Sequence, residues 1–319
     1  MTRAFPLALI VAAAASWAAA TLLTKVALRE LAPLDLLAIE LFSSAMAMAC
    51  LLGARGRPFL PRRWPVFALL GVLEPGLSFG LFDFGLSRTG AADGAILIAS
   101  QSLFGVLLAR ALLGERVSAV TGAAVAVGFA GSALVGLAET GHGASPLGDL
   151  LVLAASAAAA CNGVGVRRMS AGADNLAATT AQLVAAALFA APVILIADTG
   201  GKSELASADF AHVLAAVATG MLGGAVPFLA FNFAIRDLTV AHAGLILNLI
   251  PVLAAAGAVV ALGERLHWPE IAGGVLVVGA ATAAAALDGR SPDHSRPRPQ
   301  RRNATCALEG APLLGCGSG

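Results

Sequence analysis

A glutamate followed by a proline, Glu74-Pro75, interrupts the middle of an apolar run that extends from residue 65 to residue 86. A charge at that depth of a membrane helix costs about 2.5–3.5 kcal/mol on insertion scales, so Glu74 must face a bundle interior or water. Pro75 removes a backbone donor and loosens the turn before it. Two roles fit. Glu74 either carries a proton or binds an amine, or it is a neutral, hydrogen-bonded acid that ties helices together. Asp83 follows nine residues later, toward the far end of the run. It either shares that interior or sits at the interface within reach of water. Glu40 lies roughly two turns into the run 34–53. It either pairs with Lys25 and lines a vestibule, or is a solvated helix end.

Amides form a second set. Gln101 is in the middle of the run 92–113, and Asn248 is in the corresponding part of the run 241–262. Buried amides need partners. They line a polar path, or they join helices to one another. Asn162 and Gln182 pose the same choice. Trp17 is deep in the run 6–27, either as packing or as a cavity wall, whereas Trp64 and Trp268 begin runs and read as interfacial anchors. Lys25 and Arg110 lie near run ends and can snorkel.

These residues need a membrane bundle to position them. The chain has 319 residues, of which 58% are hydrophobic and only 12% charged. A soluble domain carries about 25% charged residues. A spanning helix takes about 20 apolar residues. Ten such runs are present, at 6–27, 34–53, 65–86, 92–113, 118–137, 147–166, 174–197, 210–234, 241–262 and 269–287. Their length and the lack of strict alternation predict helices. The first run follows Arg3 and contains Ala18-Ala19-Ala20, which is compatible with a signal peptide, but its length favours a span. The fold expected is an all-α membrane protein.

With the N-terminus placed inside, the inner side holds 15 Lys and Arg residues and the outer side 5. That bias orients the chain with both termini in the cytoplasm. The predicted units are residues 5–137, residues 147–287, and a disordered cytoplasmic tail at 288–319. The two large units are related. Residues 71–116 laid on 220–265 without a gap match at 11 of 46 positions. Gly71 falls on Gly220, Phe79 on Phe228, Phe82 on Phe231, and Gly114-Glu115-Arg116 on Gly263-Glu264-Arg265. Glu74-Pro75 falls on Gly223-Gly224, and Asp83 on Asn232, so both copies are permissive at one depth and polar at another. Ten helices in two repeats give five each. Five is odd, so the repeats are inverted, an arrangement typical of secondary transporters with a site at the repeat interface.

The order of landmarks resembles the drug/metabolite transporter superfamily, in its ten-helix form with two EamA domains. Trp17 and Lys25 look like the family's opening of the first helix. Gly148-Asp149 followed by Arg167-Arg168 looks like the opening of the second domain. Pro251 followed by Leu262-Gly263-Glu264-Arg265, with Gly273 beyond, looks like its closing signature. Ser102 stands where the first domain would carry the signature proline. The resemblance implies alternating access and export of small polar metabolites, such as amino acids or drugs, from a bacterial inner membrane.

The repeated Gly-Glu-Arg phrase is better explained as a hairpin lock. Gly ends one helix, where positive φ is cheap, and Glu115 or Glu264 precedes the N-terminus of the next. Pro75 and Pro251 are hinge candidates. Gly122, Gly128 and Gly131 in the fifth run, and Gly273, Gly274 and Gly279 in the tenth, allow close packing at the periphery or between two copies in a homodimer. No phosphate-binding Gly-x-x-x-x-Gly-Lys-Ser/Thr occurs, the His and Cys residues have no metal spacing, and net charge is +1. No cofactor, metal or nucleic acid is implied; the partners are a small-molecule substrate and the bilayer. An intramembrane enzyme acting on lipid or isoprenoid would want acidic clusters near a membrane face. A sensor or scaffold would want a soluble domain. Neither feature is found.

Overall fold

A computed structural model describes residues 4–113, 119–138, 145–169, 174–198, 208–234, 246–247 and 249–288. Glu115, Asn248 and the tail beyond Asp288 lie outside the described residues. Among the described residues all regular structure is helical. The first half contains α1 (Ala4–Ala27), α2 (Pro33–Ala54), α3 (Trp64–Gly71), a π-helical turn (Val72–Leu77), α4 (Ser78–Leu86), α5 (Ala91–Ile98), α6 (Gln101–Leu113) and α7 (Ala119–Ala138). The second contains α8 (Pro146–Met169), α9 (Asn175–Asp198), α10 (Phe210–Thr219), a second π-helical turn (Gly220–Ala225), α11 (Val226–Ala234), α12 (Leu249–Gly257), a third π-helical turn (Ala258–Leu262) and α13 (Trp268–Asp288).

Among the described residues, seven helical stretches are long and apolar enough to cross a membrane. Three shorter apolar stretches, Gly122–Gly131, Leu249–Leu262 and Trp268–Ala280, fall within the remaining three sequence runs. The exposed side chains suit a lipid exterior, with Val260 86% and Phe210 75% accessible. Trp64 and Trp268 begin their helices and are exposed, as interfacial anchors are.

The two halves pack through each other. Helix α1 lies on α10 and α11, and its counterpart α8 lies on α3 and α4. Helix α2 packs on the second π turn, and α9 packs on the first. Two counterpart pairs meet directly, α2 with α9 and α7 with α13, while α12 lies on α1 as its counterpart α6 lies on α8. Exchanging the halves leaves this pattern unchanged.

Two identical glycines seat the interlock. A Cβ on Gly71 would fall 2.1 Å from the Gln182 carbonyl oxygen, and one on Gly220 would fall 2.6 Å from the Glu40 carbonyl oxygen. Gln182 is seven residues beyond Asn175, and Glu40 is seven beyond Pro33, so the two contacts are counterparts. Only a residue without a side chain permits that backbone approach. The glycines of α7 and α13 face one another likewise. A Cβ on Gly131 would fall 2.8 Å from the Gly273 carbonyl oxygen.

Contacts between turns sort into two ends of the bundle. At one end, Lys25 donates to the carbonyls of Leu86 and Thr89, Ser145 N–H donates to the Arg88 carbonyl, and His212 lies 3.1 Å from Glu30. At the other, Arg57 pairs with Asp174 at 2.5 Å. Each contact joins groups that the charge bias assigns to one side of the membrane.

Candidate substrate and coupling site

The helix that carries Glu74 is broken at Glu74. Its backbone is extended there, with φ −149° and ψ 122°, inside an otherwise helical stretch. The cause is the next residue: the Pro75 ring crowds the residue before it out of the helical region. The Glu74-Pro75 bond is cis. The break turns the Glu74 carboxyl to α8, where Asn162 Nδ2 donates to its Oε2 at 2.7 Å. Gln182 Nε2 on α9 donates in turn to Asn162 Oδ1 at 3.3 Å. Asn162 and Gln182 are buried, while Glu74 is half-buried. An acid with one amide donor keeps acceptor capacity for a further partner. Glu74 belongs to the first half, and both amides belong to the second.

The counterpart stretch, the π-helical turn at Gly220–Ala225, holds no acid. Its freed carbonyls are taken by α1: Trp17 Nε1–H donates to the Gly223 carbonyl at 2.8 Å and Ser16 Oγ to the Leu222 carbonyl at 2.6 Å. Trp17 packs edge-on against Phe228 at 5.8 Å and Phe231 at 6.1 Å. Phe79 meets Phe228 edge-on at 6.2 Å. Phe79 and Phe228 are the same position in the two copies, so their contact marks the axis that relates the halves.

Sequence profiles of the EamA-like transporter family match residues 4–137 and again residues 146–285. The chain belongs to this family. A protein of Streptantibioticus cattleyicolor named "Probable terminal-alkyne amino-acid exporter" is 30% identical over 246 residues, which is 77% of this chain and 80% of that protein. An uncharacterized protein of Pseudomonas aeruginosa is 31% identical over 266 residues, 82% of this chain and 87% of its own length. A solved crystal structure shares the fold, with a TM-score of 0.66 and 22% identity over 91% of this chain and 99% of that one. The chain is therefore a multi-pass membrane protein of a transporter family built from two EamA repeats.

Other residues of this EamA protein group differently from their sequence neighbours. Glu40 is buried in α2, and its hydrogen-bond donor is Thr24, at 3.3 Å, rather than Lys25. Lys25 is engaged with the Leu86 and Thr89 carbonyls. Asp83 is buried. Its counterpart Asn232 is buried too and donates to Thr179 Oγ1 at 2.6 Å. Gln101 is half-buried at the start of α6, after a break at Ala99–Ser100 that the apolar pattern does not show, and it stands outside the Glu74 network. Ser156 Oγ donates to the Leu97 carbonyl at 3.2 Å beside that break. Pro251 is buried in α12.

Glu264 anchors a turn, but not the one that follows it in sequence. Its Oε1 accepts the Ala91 N–H at 2.8 Å, capping α5 in the other half. The start of α13 is served instead by Glu270, whose Oε2 accepts the His267 N–H at 2.6 Å. Gly263 closes the third π turn with φ 72°, as a helix-ending glycine does. Lys25, Leu28, Arg29, Ser87, Leu262 and Glu264 line a cavity of about 140 Å³ at this end.

Thr24, Ser16, Thr179 and the aromatic group around Phe79 carry no distinguishing sequence pattern of their own. Repeat identity singles out Phe79 and Phe228, and it is the one signal that could have found them.

Proposed function

We propose that this EamA protein is a secondary transporter of the bacterial inner membrane. It exports small amine-bearing metabolites, amino acids or amphiphilic drugs, by alternating access between two inverted five-helix repeats, with both termini in the cytoplasm. Ten apolar helical stretches and the exchange-symmetric packing support that architecture. So does the end-to-end sorting: α1 finishes at Lys25 near residues 86–89, and α8 starts beside Arg88, so these counterparts run in opposite directions.

The observation that carries the function is the Glu74–Asn162–Gln182 set, placed at a broken helix where the repeats meet. A carboxyl with spare acceptor capacity suits an ammonium group or an exchanged proton. The rings of Phe79, Phe228 and Trp17, which meet edge-on between the two halves, suit an apolar side chain. π-helical turns in equivalent helices of both repeats, the first of them broken at Glu74, supply the loosened backbone that rocking of one half against the other needs. The relative named as an amino-acid exporter points to the same substrate class.

The test is a resistance screen across amino acids, analogues and cationic drugs, in cells overexpressing the chain and in cells lacking it. The expected outcome is raised tolerance to at least one amine-bearing compound, with lower cellular accumulation. Unchanged tolerance and unchanged accumulation across the panel would contradict export.

A further inference from the structure

The cavity at the Lys25 end takes no part in the Glu74 set. Three elements wall it: the end of α1 with the turn beyond it, the turn between α4 and α5, and the turn between the third π stretch and α13. The first two belong to the first half and the last to the second. At about 140 Å³ the cavity has room for on the order of four or five waters. That accommodates a small charged head; a drug-sized ligand needs a pocket of about 300 Å³ or more.

The lining carries both signs of charge. Lys25 and Arg29 come from the α1 wall, and Glu264 comes from the wall of the second half. Ser87 adds a hydroxyl, while Leu28 and Leu262 add apolar surface. Two of the charges are held in place. Lys25 Nζ donates to the Leu86 and Thr89 carbonyls, and Glu264 Oε1 accepts the Ala91 N–H at 2.8 Å. A lysine at a helix end ordinarily snorkels with its stem free. Fixing it leaves less to be ordered when a ligand arrives. Arg29 is exposed, and its planar fork matches an oxyanion. A lock between turns accounts for Lys25 and Glu264. It does not account for the space they line, or for a second cation beside it. We propose that this cavity is a second binding site, separate from Glu74, for a zwitterionic head whose oxyanion lies against Lys25 and Arg29 and whose ammonium lies against Glu264.

Two sources present that head, an oxyanion beside an ammonium, at an end of the bundle. One is a free α-amino acid, through its carboxylate. The other is an ethanolamine lipid, through its phosphate. For an amino acid the site stands at the mouth of the pathway, where a solute enters or leaves. That use rests on the transporter reading; the binding does not, because it is read at equilibrium with no gradient. A failure of the Glu74 account in flux measurements therefore leaves this site standing, and the reverse holds too.

The experiment is saturation-transfer NMR of glycine on the purified full-length protein in an uncharged detergent. The Glu74→Gln protein is the background, so that the mid-membrane carboxylate does not hold the ammonium. Glycine should bind it saturably. Arg29→Gln or Glu264→Gln, added to that background, should each weaken binding about tenfold or more, as the loss of a charge-assisted bond does. Arg29 is exposed, and glutamine at 264 keeps an oxygen for the Ala91 N–H, so both variants should unfold at the background temperature. If Glu264→Gln unfolds early, Arg29→Gln decides alone. Acetate and methylamine, each one half of the head, should bind about tenfold or more weakly than glycine. Phosphatidylethanolamine and phosphatidylglycerol, titrated into the micelles, separate the sources. Displacement of glycine by the first lipid and not the second supports the site with a lipid head as its occupant; displacement by neither supports a free solute. Displacement by both would mark a plain anion patch and overturn the proposal. So would absence of saturable glycine binding, acetate or methylamine binding as tightly as glycine, or an affinity unchanged by Arg29→Gln.

Discussion

The two half-sites of this molecule share a backbone and differ in chemistry. In one, Glu74 meets Asn162, sixteen residues beyond the start of α8. In the other, Gly223 meets Ala20, sixteen residues beyond the start of α1, at 3.3 Å from a built Cβ. Behind Asn162 stands Gln182; at the matching position in α2 stands Glu40. Both helices carry a π-helical turn at the same depth, though only one holds an acid and a residue with extended backbone. The π turn therefore belongs to the architecture, and the acid and the break at it are particular to one half. Where side chains are absent, the freed carbonyls are satisfied by Trp17 and Ser16 from the opposite repeat. A duplicated frame has divided its labour: one half-site is polar and half-exposed, and the other is sealed by an aromatic wall.

Substitutions at counterpart positions can break this comparison. The largest effect is expected at the shared hinge of the interlock. Gly71→Val and Gly220→Val should each destroy the folded protein, since an added Cβ meets backbone at 2.1 Å and 2.6 Å respectively. Overpacking an ordinary core costs about 1–3 kcal/mol, and backbone does not yield as a side chain does. The monodisperse fraction and thermal midpoint in detergent check this. Tolerance of one variant and not the other would show that the frames are not equivalent.

Asn162→Ala comes next. It strips the amide donor from Glu74 Oε2 and should weaken substrate binding about five- to 150-fold, from a loss of about 1–3 kcal/mol. Equilibrium binding by scintillation proximity reads it, with an unaltered thermal midpoint as the control. Trp17→Phe probes the opposite half-site and should act in the reverse sense. It keeps a ring but loses the bond to Gly223, lowering stability by about 0.5–1.5 kcal/mol with less effect on binding. Denaturant titration in mixed micelles measures the difference.

A smaller effect is expected at the turn before α9. Asp174 Oδ1 accepts the Leu176 and Ala177 N–H groups at 3.0 Å and 3.4 Å. Partial burial raises this carboxyl, but the bonds from Ala177, Arg57 and Leu176 outweigh it and hold the group below its ordinary range. A carboxyl lowered in the folded state stabilises at neutral pH and stops doing so as pH falls through its folded value. Asp174→Ala should cost about 1 kcal/mol near neutral pH and nothing in strong acid. Thermal midpoints across that range test the sign, and a larger loss in acid would reverse it.

Much of the frame was legible in the sequence. Uninterrupted apolar runs locate helices because lipid leaves no other way to satisfy a backbone. The repeat was legible because Gly71, Phe79 and their copies sit at contacts that tolerate little change. Glu74 was legible from its depth beside a proline. Its partners were less so, because contacts between halves follow no period in the chain; Asn162 and Gln182 look like any two amides until α8 and α9 are folded onto the first π turn. The bond from Thr24 to Glu40 was hidden for the same reason, and so was the reach of Glu264 to Ala91. The break before Gln101 has no proline or glycine to announce it.

The central claim is that the Glu74 half-site binds the coupled cation. Its most direct test is gradient-driven flux in sealed proteoliposomes, using an amine-bearing substrate identified by the resistance screen. Wild type should accumulate the substrate against its gradient when a pH gradient is imposed. Glu74→Gln, folded and inserted equally well, should exchange substrate across the membrane yet accumulate none. Uphill accumulation by Glu74→Gln at the wild-type level would contradict the account.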